Sequence, residues 1–167
     1  MSQSTKQIKT ITIGELNRRA SDIHKFIETS EQQYADKIKA AADTIAQCHS
    51  EKPLVLLSGP SGSGKTSTAY RIASELTAKG IKAVVISMDD YFVPGMIPPD
   101  ENGKVDLEAP ARVDCELLKK DLRTLASGGE VQLPKFNFTD NSRRCGNKVR
   151  CDGNTVVIIE GIHALNP

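Results

Sequence analysis

The chain has 167 residues, of which 26% are charged, and its formal net charge is +1. Because the two signs of charge nearly balance, the composition gives no support for a protein that binds nucleic acid or a membrane surface. The first ten residues lack the apolar core of a secretory signal, and the longest apolar stretches are strand-sized. We therefore expect a cytoplasmic protein without nucleic-acid or membrane partners.

Residues 1–50 are predicted to form a helical N-terminal extension. Thr12 and Glu15 form a T-x-x-E capping box, and Ser30 with Gln33 forms a second box that is expected to open another helix. After the first box, apolar residues recur at helical spacing: Leu16, Ala20, Ile23 and Ile27. After the second box they form one apolar stripe: Ile38, Ala41, Ala42 and Ile45. We interpret these helices as packing elements without a catalytic role.

Residues 51–167 are typical of an α/β domain. The short apolar runs LVLLSG, AVVISMDD and VVIIEG suit parallel strands that are buried on both faces of a sheet. A helix is predicted from Thr66 to Lys79, with Gly80 as its stop, and another from Asp114 to Ala126, which Gly128 and Gly129 would end. The stretch VQLPKFNFTDNSRRCGNKVRC alternates and turns as a β-hairpin insertion does.

The segment SGPSGSGKTS fits the phosphate-binding pattern G-x-x-x-x-G-K-[ST] in full. Its glycines allow successive backbone N–H groups to surround a phosphate, and the helix that follows favours an anion at its N-terminus. Lys65 is expected to reach the β- and γ-phosphates, and Thr66 to offer its hydroxyl to Mg²⁺. The predicted fold is a P-loop NTPase-type parallel sheet flanked by helices. The predicted nucleotide-binding residues are Gly59, Pro60, Ser61, Gly62, Ser63, Gly64, Lys65, Thr66 and Ser67.

Acidic residues at the strand ends favour a kinase over other P-loop proteins. GTPases carry an N-K-x-D motif, and the nearest match here, GNKVRC, has Arg150 in place of the aspartate. Asp89 and Asp90 follow the second strand and Glu160 the third, so they are expected at the sheet edge where the phosphate loop opens. Phosphoryl transfer to an alcohol needs a carboxylate base, which either aspartate could supply. It also needs oxygen ligands for Mg²⁺, which Glu160 and Thr66 could supply.

Five segments, SGPSGSGKT, VISMDDYF, VDLEAPARVDCELLKKDL, LPKFNF and IIEGIHALNP, together resemble the uridine kinase and phosphoribulokinase family of P-loop kinases. The resemblance covers about Leu54 to Pro167. The segments DDYFV, GNK and EGIHALNP are most similar to a long bacterial branch of nucleoside kinases, in which a region resembling part of threonyl-tRNA synthetase precedes the kinase. Residues 13–50 would then be the helical tail of such a region.

The resemblance implies an enzyme that transfers the γ-phosphate of ATP, with Mg²⁺ as cofactor, to a hydroxyl of a nucleoside such as uridine or cytidine. Asp89 matches the catalytic base of the family, and Thr66, Glu160 and Asp89 would be the metal ligands. Asp106 matches the aspartate that holds the ribose hydroxyls. The aromatic residues that enclose the nucleoside are matched by Phe92, Phe136 and Phe138.

Two departures from the family pattern leave other functions open. Asn141 stands where uridine kinases carry a histidine that reads the pyrimidine edge, and extra residues separate Asp106 from Pro110. A sugar phosphate, glycerate or a pantothenate-like alcohol is therefore an alternative small-molecule acceptor. A non-catalytic nucleotide-binding module is an alternative from a different class of protein.

The family continues beyond the third strand with more strands, an arginine-bearing lid and a loop that grips adenine. Strands at Leu54, Ala83 and Val156 alone are expected to leave the central strand with an open edge, which is unfavourable. The sequence thus predicts either a fragment of a longer protein or an assembly, such as a homo-oligomer, in which a partner chain supplies the missing side. Without lid arginines, slow or absent turnover is expected.

Overall fold

The computed structural model describes residues 10–95, 99, 101, 103, 106 and 108–166. Contacts divide the chain into two compact units, Met1–Lys37 and Ile38–Pro167. The first unit is helical in its described part, and the second contains the strands and the phosphate loop. Among the described residues, no helix is both long enough and apolar enough to cross a lipid bilayer.

Helix α1, Ile13–Ala20, begins as its capping box predicts. The hydroxyl of Thr12 accepts a hydrogen bond of 3.1 Å from the backbone N–H of Glu15. The prediction that the same helix continues to Ile27 is wrong, because α1 ends at Ala20 and a separate helix, α2, spans Ile23–Cys48. Apolar spacing that continues across a short break therefore gave one helix where the chain forms two.

The second capping box is also a wrong prediction, since α2 begins before it. The carboxylate of Asp22 accepts a hydrogen bond of 3.1 Å from the N–H of Lys25, which is the contact that a capping residue makes. Ser30 lies inside α2, where its hydroxyl donates to the carbonyl of Phe26 at 2.7 Å. A serine within a helix commonly forms this bond, so a box of the form S-x-x-Q does not by itself mark a helix start.

In its described residues, the second unit contains two further α-helices and five strands. The helices are α3 (Lys65–Ala78) and α4 (Cys115–Ala126). The strands are β1 (Leu54–Leu57), β2 (Lys82–Ser87), β3 (Glu130–Asn137), β4 (Ser142–Arg150) and β5 (Thr155–Glu160). Gly80 follows α3 and Gly128 follows α4 with φ angles of +78° and +77°, so both predicted helix stops are confirmed.

Strands β1, β5 and β2 form a parallel sheet in that order. Every residue of β5 is buried, as its unbroken apolar run predicts. The prediction of an open edge on the central strand is wrong, because β5 is paired on both sides and the outer edges belong to β1 and β2. Leu54 and Leu56 of β1 are exposed. Strand order follows the path of the crossover connections, which the residues of a strand do not encode locally.

One apolar cluster joins the sheet, α4 and the hairpin. Leu118 and Leu125 of α4 pack in one cluster with Val157 of β5 and Phe136 of β3. Strands β3 and β4 form an antiparallel pair, which confirms the predicted hairpin. Between β2 and α4 the chain makes a 3₁₀ turn, Met88–Tyr91, which we call the acidic turn. The core therefore places the acidic turn beside the carboxyl end of the sheet and against the hairpin.

Candidate active site

The phosphate loop connects β1 to α3, as its sequence pattern predicts. Gly62 and Gly64 have φ angles of +73° and +81°, which residues with a side chain rarely adopt. A Cβ atom added to Gly59 would lie only 2.9 Å from the hydroxyl oxygen of Ser63. The glycines at these three positions thus keep the loop tight and keep side chains away from its concave backbone, which is the form a phosphate cradle needs.

Lys65 and Thr66 open α3 directly after this loop. The ammonium of Lys65 donates to the carbonyl of Pro60 at 3.0 Å, so the side chain folds back across the loop. The hydroxyl of Thr66 donates to a carboxylate oxygen of Glu160 at 3.0 Å. Glu160 ends β5 and is only 3% exposed. A hydroxyl and a carboxylate that already share a hydrogen bond are the hard oxygen donors that Mg²⁺ prefers.

Asp89 lies in the acidic turn at the carboxyl end of β2, as the sequence predicts. Burial raises the pKa of its carboxyl group above the usual value, and the negative charge of Glu160 raises it further. The positive charge of Lys65 opposes this effect in part. A raised pKa makes the carboxylate of Asp89 a better proton acceptor than an aspartate with the usual pKa.

A cavity of about 300 Å³ brings several of the predicted residues together. Lys65 and Asp89 line it together with Phe92, which directly follows the acidic turn, and Phe138, which directly follows β3. The ring of Phe138 is 64% exposed although it packs edge-on against Phe92, with the ring centroids 6.0 Å apart. An exposed aromatic face beside a basic carboxylate suits a small ligand with one flat apolar part and one hydroxyl group.

The structure places three predicted substrate-binding residues elsewhere. Asp106, Phe136 and Asn141 are not among the described residues that line this cavity, and Phe136 is only 4% exposed. The carboxylate of Asp106 accepts the N–H of Glu108 at 2.9 Å in an exposed stretch. Asn141 has a φ angle of +52°, and its side-chain amide donates to the carbonyl of Gly95. The proposed contacts of these three residues with an acceptor stay predictions.

Sequence reasoning missed four residues of the cavity wall: Glu108, Arg112, Ile162 and His163. The guanidinium carbon of Arg112 lies 4.4 Å from the ring centroid of Phe92, and the residue is only 8% exposed. Nε2 of His163 lies 2.6 Å from the carbonyl oxygen of Glu108. Both segments that carry these residues, VDLEAPARVD and IIEGIHALNP, stood out in the sequence, but neither shows by itself which side chain turns inward.

The model of the phosphoribulokinase/uridine kinase family matches residues 54–166. The chain belongs to this family. It is 37% identical over 113 residues to uridine-cytidine kinase C of Dictyostelium discoideum, a match that covers 68% of this chain and 23% of that protein. The chain spans only about a quarter to a half of the length of several curated uridine kinases that it matches.

Solved structures share this fold. A possible uridine kinase from Bacillus stearothermophilus matches with a TM-score of 0.62 and 26% identity, over 75% of this chain and 70% of that one. A putative fructose transport system kinase from Silicibacter sp. TM1040 matches with a TM-score of 0.61 and 26% identity, over 74% of this chain and 62% of that one. The predicted α/β class, with a parallel sheet flanked by helices, is therefore confirmed.

Proposed function

We propose that this chain carries the phosphate loop and the catalytic base of a kinase that transfers the γ-phosphate of ATP to a hydroxyl of a nucleoside such as uridine or cytidine. The observation that supports this most directly is the shared cavity. Lys65 and the basic carboxylate of Asp89 line it together with the exposed ring of Phe138. Similarity to uridine kinases supports the same reaction.

The phosphate loop, residues 59–67, fits a nucleoside triphosphate because its glycines leave the backbone N–H groups accessible to phosphate oxygens. Bound ATP with Mg²⁺ would supply the electrophilic γ-phosphate and neutralise part of its charge. The oxygen ligands that the chain offers to the metal are those of Thr66, Glu160 and Asp89. Lys65 would release the carbonyl of Pro60, to which it now donates, and would bind phosphate oxygens instead.

Asp89 would accept the proton of the acceptor hydroxyl as its oxygen attacks the γ-phosphate. Its raised pKa suits this role, since burial and Glu160 both favour the protonated product of that transfer. A nucleobase would stack on Phe138, and base–aromatic stacking of this kind contributes about 1–3 kcal/mol per base. Asp106 would hold the ribose hydroxyls, with Phe92, Phe136 and Asn141 contributing to the enclosure of the nucleoside.

A second candidate acceptor is a small alcohol that carries an anionic group, such as a sugar phosphate or glycerate. Arg112 favours it, because a buried cation in the cavity wall would stabilise a phosphate or carboxylate. The similarity to a putative fructose transport system kinase points in the same direction. Both candidates use the same phosphate loop and the same base, so they differ only in the acceptor.

The test is an acceptor panel in which phosphorylated product is detected by mass spectrometry, with ATP affinity measured separately by calorimetry. Asp89→Asn should lower kcat by about 10² to 10⁴-fold, as expected for loss of a general base, while ATP affinity stays nearly intact. If Asp90→Asn abolishes transfer and Asp89→Asn does not, the base is assigned to the wrong residue. If ATP binds and no acceptor is phosphorylated, the chain is a nucleotide-binding module instead.

A further inference from the structure

We propose that Asp90 is a positioning residue, which holds the β3–β4 hairpin against the acidic turn and so fixes the ring of Phe138 opposite Asp89. This inference rests on the proposed function, because it assigns Phe138 to the acceptor side of the cavity. It gives a separate role to Asp90, for which the family resemblance, by matching Asp89 to the base, leaves no function.

The carboxylate of Asp90 is directed to the hairpin. Its Oδ1 accepts a hydrogen bond of 3.2 Å from the backbone N–H of Phe136, and its Oδ2 accepts one of 3.0 Å from the ammonium of Lys135. The side chain is only 18% exposed. Of the described residues that line the cavity, Asp89 is one and Asp90 is not. One carboxylate therefore binds two consecutive residues of β3.

The hairpin depends on such contacts for its position. Among the described residues, β3 and β4 pair only with each other, and an isolated two-stranded hairpin is marginally stable in water. Other hydrogen bonds hold the hairpin as well. On β4 the guanidinium of Arg143 donates to the carboxylate of Asp114 at 2.9 Å, and Nε of Arg150 donates to the carbonyl of Gly128 at 3.1 Å. At the turn between the strands, the N–H of Gly95 donates to the carbonyl of Asn141 at 3.4 Å. The bond between Asp90 and Phe136 is a tie from the acidic turn itself to the backbone of β3.

Ring contacts couple the position of Phe138 to that of the backbone at Phe136. Phe136 is 4% exposed, and its ring centroid lies 5.6 Å from that of Phe92 and 5.1 Å from that of Phe138. Phe92 and Asp89 are held by the acidic turn, whereas Phe138 is held by the hairpin. If the hairpin shifts, Phe138 moves relative to Asp89, and the acceptor loses its stacking surface although the base and the phosphate loop remain in place.

This arrangement predicts a specific kinetic effect. Loss of a hydrogen bond to a charged group affects stability or binding by about tenfold or more. We therefore expect Asp90→Ala to raise the KM for the acceptor by about tenfold or more, with little change in kcat at saturating acceptor or in ATP affinity. Asp90→Asn keeps an oxygen that can accept from the N–H of Phe136, so it should restore most of the acceptor affinity.

Two control variants isolate the hairpin contact. Lys135→Met removes the ion pair but keeps the backbone bond, and because Lys135 is 67% exposed the change in KM should be small. Asp152→Asn also removes a carboxylate that accepts a hydrogen bond from a lysine, here Lys82 at 2.6 Å. Asp152 lies after the end of β4, outside the hairpin. This substitution should leave the KM for the acceptor unchanged, so a general loss of stability is distinguished from loss of position.

The experiment measures kcat, the KM for the acceptor and ATP affinity for the wild type and all four variants, with amide hydrogen exchange at Phe136 and Phe138. An active wild type whose acceptor KM is unchanged in Asp90→Ala overturns the inference and leaves the proposed function standing. A wild-type protein that neither phosphorylates nor binds any acceptor refutes the proposed function. In that case amide hydrogen exchange still tests whether Asp90 positions the hairpin. Faster exchange at both amides in Asp90→Ala supports this role, and unchanged exchange overturns it.

Discussion

Replacing Tyr91 by phenylalanine removes the hydrogen bond that connects the acidic turn to α4. Tyr91 is completely buried, and its hydroxyl donates to the carboxylate of Asp121 at 3.0 Å. Asp121 is itself only 7% exposed, so Tyr91→Phe withdraws a donor from a carboxylate that water barely reaches. A hydrogen bond to a charged group contributes about 1.5–3 kcal/mol, and we expect the free energy of unfolding to fall by that amount.

The hydroxyl of Tyr91 keeps the proton that it donates in this bond. Burial raises the pKa of Tyr91, and the neighbouring charge of Asp121 raises it further, so the hydroxyl stays protonated at neutral and moderately alkaline pH. The loss of stability in Tyr91→Phe should therefore be the same at neutral and at moderately alkaline pH.

Urea unfolding followed by circular dichroism measures this change, since the chain has no tryptophan to report by fluorescence. Tyr70→Phe is the matched control. It also removes a tyrosine hydroxyl, but from a residue of α3 that is 61% exposed to solvent. Surface substitutions of this kind usually change stability by less than about 0.5 kcal/mol. If the two variants lose equal stability, the bond between Tyr91 and Asp121 does not stabilise the fold and this reasoning is refuted.

Two further predictions concern the phosphate loop and the effect of acid. Gly64→Ala places a side chain at a φ angle of +81° and should cost about 1–2 kcal/mol in thermal unfolding and weaken ATP binding, whereas Gly153→Ala, with open space around it, should change neither. The Lys82 ammonium, the Thr155 hydroxyl and the N–H of Asn154 together lower the pKa of Asp152 to about 2, so the stabilising effect of this carboxylate is present above the usual value of 3.8 and is lost as pH falls through 2. Asp152→Asn should therefore be less stable than wild type in urea at neutral pH, and the difference should disappear below pH 2; a constant difference would contradict this.

The phosphate loop, the buried strands and the hairpin could be predicted because their signals are local. A left-handed residue such as Gly64 lies within the motif that requires it, and the apolar run of β5 shows its burial on both faces. The stop at Gly80 is a signal of the same kind. Each of these features depends on residues that are adjacent in the chain, so a short stretch of sequence determines it.

The wrong predictions concern contacts between distant segments or competition between similar local signals. The strand order depends on the crossovers, so the sequence did not show that β5 lies between β1 and β2. Asp22 and Ser30 both suit a helix start, and only the structure shows that α2 begins after Asp22. The proposed role of Asn141 at the nucleoside base is not one of these and stays a prediction; its amide donates to the carbonyl of Gly95, 46 residues earlier in the chain.

The geometry of the acidic turn explains how three adjacent side chains contact three different parts of the protein. A 3₁₀ helix has three residues per turn, so successive side chains point about 120° apart and residues three apart share a direction. Asp89 faces the cavity, Asp90 the hairpin and Tyr91 the buried carboxylate of α4. Phe92, three residues after Asp89, lines the same cavity, and its N–H donates to the carbonyl of Asp89 at 3.3 Å. An extended strand end would place adjacent carboxylates on opposite faces; the turn instead connects the proposed base, the aromatic wall and the core.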